Sequence, residues 1–352
     1  AVVGFAEGGL NPPSASLVGD TFPRQRRASA LAVLFSAVGA GIMVTFVVGG
    51  PLIHWLDTQP ALVLPLVGEL AHWQTGFMLA GLPGLLVGVL LYTTLREPPR
   101  SEPGGAAASA PVAWADVRRY LAGHERLYTG ILVGMPLTVL GAYSLMPWMP
   151  VLLKRAHDWD VGSVGLVYGL TSGTTIIVGS VLAGRAVALL RGRGHADASY
   201  RFCIISSFWL AGLAALGALL PQPVVSIALV AIGFLMFMVP PAMMYAVINE
   251  VAPNRMRARL GSLALIAAGL LLNSLGPWLV GALNDYVFHD RGAIGYSVFC
   301  LSVPSMLLGG YLLFRGLPQY AAAAAESRER RGAHAPQPPL SGATGMQQER
   351  TA

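Results

Sequence analysis

Residues 7–28 read EGGLNPPSASLVGDTFPRQRRA, and the end of this stretch is repeated near residue 250. The repeat keeps an acid, a proline, an arginine and an alanine at one spacing: Asp20, Pro23, Arg27 and Ala28 are matched 230 residues later by Glu250, Pro253, Arg257 and Ala258. In both copies a proline-containing apolar segment ends at the acid, a short basic turn follows, and a long glycine-rich apolar segment begins. A unit repeated at this distance predicts two related halves.

The composition favours a membrane protein. Hydrophobic residues make up 54% of the 352 residues, charged residues only 11%, and the mean hydropathy is +0.60, whereas soluble domains have about 25% charged residues. Cys203 and Cys300 lie in apolar runs without the spacing of a metal or redox site, so we expect no metal and no other cofactor. The sequence shows no nucleophile elbow, phosphate loop or His-rich zinc motif, which argues against an enzyme.

Charged residues divide the chain into apolar segments of about 20 residues, the length that a membrane-spanning helix needs. Residues 202–249 carry no charge and are too long for one span, and Pro221 and Pro223 divide them into two. The sequence therefore predicts an all-α integral membrane protein with nine spans. They are 1–19, 28–53, 74–95, 127–153, 162–184, two within 202–249, 258–283 and 293–315.

The positions of lysine and arginine predict the orientation of these spans. If the loop after Asp20 is cytoplasmic and the spans alternate, 20 of the 23 Lys and Arg residues fall inside, and only Lys154, Arg155 and Arg291 fall outside. We therefore expect a multi-pass protein of the plasma or inner membrane with a cytoplasmic C-terminus. The net charge of +6 is then a signal of topology, which argues against nucleic acid as a partner.

The spans group into unequal parts. We expect a partial N-terminal bundle of three helices at 1–95, a cytoplasmic linker at 96–126, a six-helix bundle at 127–315 and a disordered cytoplasmic tail at 316–352. The linker contains a short amphipathic helix at 114–121, and we expect Trp114, Val117, Tyr120 and Leu121 to face lipid.

The repeat also predicts that the first half has helices that are not in this sequence. The helix that ends at Glu250 is the fourth of the complete half, so the helix that ends at Asp20 is a fourth helix as well. We therefore expect three further helices, about 100 residues, to precede Ala1.

Several motifs occur in an order that resembles the major facilitator superfamily of secondary transporters. They are Gly8-Gly9-x-x-Pro12 leading to Asp20-x-Phe22-Pro23-x-x-x-Arg27-Ala28, then His72-Trp73-Gln74-x-Gly76-Phe77, Gly81-x-Pro83-Gly84 and Arg96-Glu97-Pro98. The resemblance covers residues 1–315 and implies a two-bundle helical fold, here helices 4–12 of twelve, that transports by alternating access. The stretch Ala6-Glu7-Gly8 before Asn11 resembles the Gly-Glu-Ala motif of spinster-like and organic-anion members, whose acid is implicated in proton coupling, although Ala6 and Gly8 depart from that motif.

Glu7 is the strongest candidate for chemistry. It lies thirteen residues before Asp20, about 20 Å along a helix, and an ionisable group at that depth in a bilayer predicts a function. A carboxyl group there could alternate between neutral and charged forms as access alternates, and it could also contact the solute. The alternative is a structural carboxyl group that is bonded to a neighbouring helix.

The resemblance further implies that helices one, four, seven and ten line the solute cavity. Our candidates for solute contact are polar or aromatic residues of these helices, together with one asparagine of the eleventh: Asn11, Tyr143, Trp148, Tyr245 and Asn273. Ordinary packing, an interfacial position for the aromatic residues, or a bridge between helices for Asn273 are the alternatives.

The acid and bases of the repeat predict ion pairs at the inner face. We expect Asp20 to pair with Arg24 or Arg27 and Glu250 to pair with Arg255 or Arg257, so that these ion pairs hold the two halves together there. A topology signal without such pairs is the alternative.

These observations predict a protein that moves a small organic solute through the lipid bilayer, coupled to protons and as a monomer. The alternative is a truncated remnant or membrane scaffold that does not transport.

Overall fold

The computed structural model describes residues 24–65, 68–94, 113–195, 197–253, 255–269, 275–290 and 292–333, with the backbone alone described at 24–35, 245, 249, 258 and 327–333. Within these ranges seven helices are long and apolar enough to cross a membrane: Ser36–Asp57, His72–Thr94, Glu125–His157, Val161–Gly192, Ala198–Gly217, Pro223–Ile248 and Ile294–Glu326. The predicted all-α membrane fold is confirmed. The count of nine stays a prediction, because 1–19 and 270–274 lie outside the description.

The helices follow one another with one small hairpin between the first two. The elements are α1 Arg24–Asp57, β1 Leu62–Leu64, β2 Gly68–Leu70, α2 His72–Thr94, α3 Trp114–Gly123, α4 Glu125–His157, α5 Val161–Gly192, α6 Ala198–Gly217, α7 Pro223–Phe234, α8 Val239–Val251, α9 Arg257–Gly269, α10 Gly276–Leu283 and α11 Ile294–Ala333. The two strands pair antiparallel, with Leu62 opposite Leu70. π-Helical turns interrupt α4 at Gly130–Gly134 and α6 at Leu210–Ala214, and another extends α10 through Asn284–Phe288.

Glycines bring α1 and α5 into backbone contact. A Cβ atom on Gly165 of α5 would lie 2.5 Å from the carbonyl oxygen of Phe46 and 2.8 Å from the Cα of Gly50, and one on Gly169 would lie 2.7 Å from the Cβ of Phe46. Small residues allow helices in a membrane to approach this closely. Because α1 belongs to the predicted first half and α5 to the second, this contact joins the halves.

Asp160 fixes where α5 begins, directly beside that contact. Its side chain caps the helix by accepting a hydrogen bond of 2.9 Å from the backbone N–H of Ser163. Hydrogen bonds from the hydroxyl and the N–H of Ser163 hold the pKa of Asp160 below its ordinary value.

The core of residues 113–333 contains three buried apolar clusters. The first includes Leu145 and Tyr168, the second includes Leu127 and Tyr200, and the third includes Phe202. The second cluster lies at the end of the bundle that carries Arg191, Glu250 and Tyr320. We call it the inner end, because the charge distribution predicts that it faces the cytoplasm.

The linker helix does not lie as predicted. α3 forms at Trp114, but Val117 is only 1% exposed and packs with Tyr120 and Leu121 on the inner-end cluster. The hydroxyl of Tyr120 donates to the carbonyl of Val251 at 3.3 Å. Most of the face predicted to meet lipid therefore packs on protein, because the inner ends of α8 and α9 offer it an apolar surface.

The predicted disorder from residue 316 onward is wrong for 316–333, which continue α11 as helix to Ala333. The segment is rich in alanine, the best helix former. It also finds apolar partners, since Tyr320, Ala323 and Ala324 are buried in the inner-end cluster. Residues 334–352 lie outside the described part of the chain.

Candidate functional site

The predicted site residues divide into those that the structure describes and those that it does not. Glu7, Asn11, Asp20 and Asn273 lie outside the described residues. Only the backbone is described at three more, namely Arg24 and Arg27 in the first turn of α1 and Tyr245 in α8. The geometry below therefore concerns Tyr143, Trp148, Glu250, Arg255 and Arg257.

The second of the two spans predicted within 202–249, which is helix ten of the twelve, is interrupted. This break forms one side of the candidate site. α7 ends at Phe234 and α8 begins at Val239, and in between the N–H groups of Leu235, Met236 and Phe237 each bond three residues back. Pro240 and Pro241 follow and have no N–H groups. Pro241 therefore cannot donate to the carbonyl of Phe237, which accepts no hydrogen bond among the described residues, whereas the carbonyl of Met236 accepts from the N–H of Val239 at 3.2 Å.

α5 packs directly on the break. A Cβ atom on Gly179 would lie 2.5 Å from the Cα of Leu235, so no larger side chain fits there without movement. The break therefore depends on two features of the sequence, the two prolines that follow it and the glycine that faces it.

Tyr143 of α4 faces the break. Its ring stacks on Phe237 with 4.9 Å between centroids and 28° between planes. The residue is half-buried, and among the described residues its hydroxyl has no hydrogen-bond partner. A polar atom in this position is free to bond a ligand.

Trp148 and Tyr168 are aromatic neighbours whose polar atoms are already used. The indole N–H of Trp148 donates to the carbonyl of Pro277 at 3.1 Å, which fastens α4 to α10. The hydroxyl of Tyr168 donates to the carbonyl of Met146 at 2.9 Å. These contacts favour the packing alternative for Trp148 and leave Tyr143 as the better candidate for solute contact.

At the inner end, Glu250 is held by partners other than the predicted ones. Its Oε2 accepts from the Arg191 guanidinium at 2.9 Å and from the Tyr320 hydroxyl at 2.6 Å. The same Arg191 nitrogen donates to the hydroxyl of Ser199 at 2.7 Å. The cluster thus joins α5, α6, α8 and α11.

The predicted partners lie elsewhere because the chain leaves the helix at Ala252, where the backbone is extended (φ −74°, ψ 139°). Arg255 is exposed in the turn before α9, and the Nε of Arg257 donates to the carbonyl of Ala252 at 3.0 Å. Glu250 is therefore bonded within the predicted second half. The ion pair of Asp20 with Arg24 or Arg27, within the predicted first half, stays a prediction.

Sequence reasoning missed Phe237 and Tyr320. Phe237 lies three residues before two adjacent prolines, and Tyr320 is an aromatic residue in an alanine-rich segment. Either feature could have singled them out. Neither feature names a partner, because partners so distant along the chain meet only in the fold.

Comparison with known proteins gives a match over most of the chain. A family model described as Major Facilitator Superfamily matches residues 1–277. An MFS-type efflux pump of Mycolicibacterium smegmatis is 23% identical over 327 residues, which are 90% of this chain and 70% of the relative. Two shorter matches are the putative metabolite transport protein NicT of Pseudomonas putida (26% over 183 residues, 49% of this chain and 40% of the relative) and the probable galactarate/D-glucarate transporter GudP of Bacillus subtilis (23% over 217 residues, 55% and 43%).

Two solved structures have a similar fold. They are inward-facing crystal structures of a bacterial homologue of the human lysosomal transporter Spinster. The unoccupied form is 19% identical with a TM-score of 0.59, over 92% of this chain and 76% of that one. The occupied form is 18% identical with a TM-score of 0.57, over 92% and 74%.

Proposed function

Because the chain belongs to the major facilitator superfamily, we propose that it carries a small organic solute across the membrane by alternating access, as a monomer and coupled to protons through Glu7. The Tyr143 hydroxyl, which bonds to none of the described residues and lies beside the break between α7 and α8, carries the proposal. Irregular backbone at membrane depth is tolerated where protein or a water-filled cavity surrounds it. Transporters build their binding sites from such discontinuous helices.

The groups at the break define the kind of solute that fits. Tyr143 offers a hydroxyl group, the carbonyl of Phe237 offers an acceptor, and the stacked rings of Tyr143 and Phe237 offer an apolar face. This combination suits a solute with both polar and apolar parts. The transporters named among the relatives guide the choice of probes, since one is an efflux pump and another a probable sugar-diacid transporter.

The α1–α5 contact provides an axis about which the two halves can move during alternating access. Closely packed small residues, such as Gly50 and Gly165, leave few interlocking side chains between the two helices. We expect the halves to rock about this contact, so that the break opens to one side of the membrane at a time.

Solute-driven proton movement tests the function. The full-length protein is reconstituted in liposomes that contain a pH-sensitive dye, and ethidium, D-glucarate and further organic solutes are added one at a time. We expect at least one solute to change the internal pH and to accumulate under an imposed pH gradient, and an ionophore to abolish the accumulation. If no solute in a broad panel does either, the remnant or scaffold alternative is favoured.

Tyr143→Phe is expected to weaken solute binding without loss of stability, since its hydroxyl bonds to no described residue. We expect the KM of the transported solute to rise about fivefold, the worth of one hydrogen bond, while the melting temperature stays unchanged. Tyr168→Phe is the matched control. It removes a hydroxyl that bonds to protein, so it should lower the melting temperature and leave KM unchanged. The reverse pattern would assign the solute contact to Tyr168.

A further inference from the structure

Tyr320 lies on the part of α11 that follows Arg315, where the sequence predicts a disordered tail. Its side chain is fully buried, and its hydroxyl donates to Glu250 Oε2, the oxygen that also accepts from Arg191. We propose that Tyr320 is a positioning residue for Glu250, holding its carboxylate against α5 so that the ion pair with Arg191 closes the inner end of the bundle. Only the link to a transport cycle rests on the proposed function.

The short distance between the Tyr320 hydroxyl and the Glu250 carboxylate indicates a strong hydrogen bond. Hydrogen bonds to an ionised carboxylate are shorter and stronger than neutral ones, and the O–O distance here is 2.6 Å. The Glu250 side chain is 19% exposed and that of Arg191 39%. Water therefore reaches the guanidinium more than the carboxylate, and the buried tyrosine bonds the more buried side of the ion pair.

Stacking fixes the tyrosine in turn. The rings of Tyr200 and Tyr320 lie 4.6 Å apart between centroids, at 15° between planes. Tyr200 is on α6, so the stack ties α11 to the helix that also carries Ser199, the second acceptor of Arg191. The inner ends of α5, α8 and α11 therefore cannot separate without breaking the bonds at Glu250.

The two stacked tyrosines form a matched pair for experiment. The hydroxyl of Tyr200 is buried and has no hydrogen-bond partner among the described residues. It fits closely against Gly130, since a Cβ atom added there would lie 2.5 Å from the Tyr200 hydroxyl. Tyr320→Phe removes a hydroxyl that bonds Glu250, and Tyr200→Phe removes one that bonds nothing described, while both keep the stacked rings.

Hydrogen exchange of the full-length protein in lipid nanodiscs tests the proposal without a solute. In Tyr320→Phe we expect amide exchange to accelerate about tenfold in the last turns of α5 and α8, since one bond to a carboxylate is lost. We expect the outer turns of α5 to exchange at the wild-type rate, and we expect Tyr200→Phe to match the wild type throughout.

Three outcomes would overturn the proposal: an unchanged rate at the inner end, a uniform acceleration along α5, or an equal effect of Tyr200→Phe. A double variant adds a further check. Tyr320→Phe should add nothing in a Glu250→Ala background, and additive effects would show that the tyrosine acts independently of the carboxylate. If solute-driven proton movement is absent but the exchange pattern is as expected, transport is contradicted and the positioning role of Tyr320 stands.

Discussion

Replacement of Gly165 by valine is expected to destabilise the contact between the two halves strongly. The new Cβ atom would lie 2.5 Å from the carbonyl oxygen of Phe46 and 2.8 Å from the Cα of Gly50, and two methyl groups would extend beyond it. Backbone atoms cannot rotate away as side chains do, so α1 and α5 must move apart. We expect a loss of about 3 kcal/mol, at the upper end of overpacking costs, measured by thermal unfolding in detergent, and loss of transport.

Gly184→Val is the control on the same helix. A Cβ atom at Gly184 meets nothing within 4 Å, so this variant makes the same chemical change without the clash. We expect it to unfold at the wild-type temperature. Equal destabilisation by both variants would assign the effect to the helix itself and would remove the contact between α1 and α5 as its cause.

The spans could be predicted from sequence because bilayer thickness sets the length of an apolar run. The predicted spans 28–53 and 127–153 correspond to α1 at Arg24–Asp57 and α4 at Glu125–His157. The helices extend beyond the predicted spans because prediction by charge stops at the first charged residue. A helix continues past that residue into the interface, where charged side chains reach water.

The side-chain pairings could not be predicted, because they depend on how helices rotate and dock. Glu250 is 59 residues from Arg191 and 70 from Tyr320 along the chain, and no local pattern connects them. The sequence suggested nearby arginines as partners, but the chain leaves the α8 helix at Ala252 before it reaches them. The tail was misjudged for a related reason, since an alanine-rich segment is helical or disordered according to whether a surface is available to it.

Glu7→Gln is expected to abolish the coupling of solute movement to protons. Glutamine has nearly the shape of glutamate but cannot release a proton, so a solute that still binds no longer moves protons with it. We expect solute-driven pH change in liposomes to fall to the level of protein-free liposomes. Exchange of labelled for unlabelled solute should persist, because it needs no net proton movement.

Glu69→Gln is the control for this change. Glu69 is exposed in the hairpin between α1 and α2, where water solvates its carboxylate, so its neutralisation should leave the coupling unchanged. A Glu7→Gln protein that still moves protons with its solute would remove Glu7 as the coupling site and favour the structural carboxyl alternative. If both exchange and proton movement are lost, Glu7 contacts the solute itself. Measuring solute exchange and proton movement separately distinguishes these roles. A coupling residue affects proton movement alone, whereas a solute-binding residue affects both.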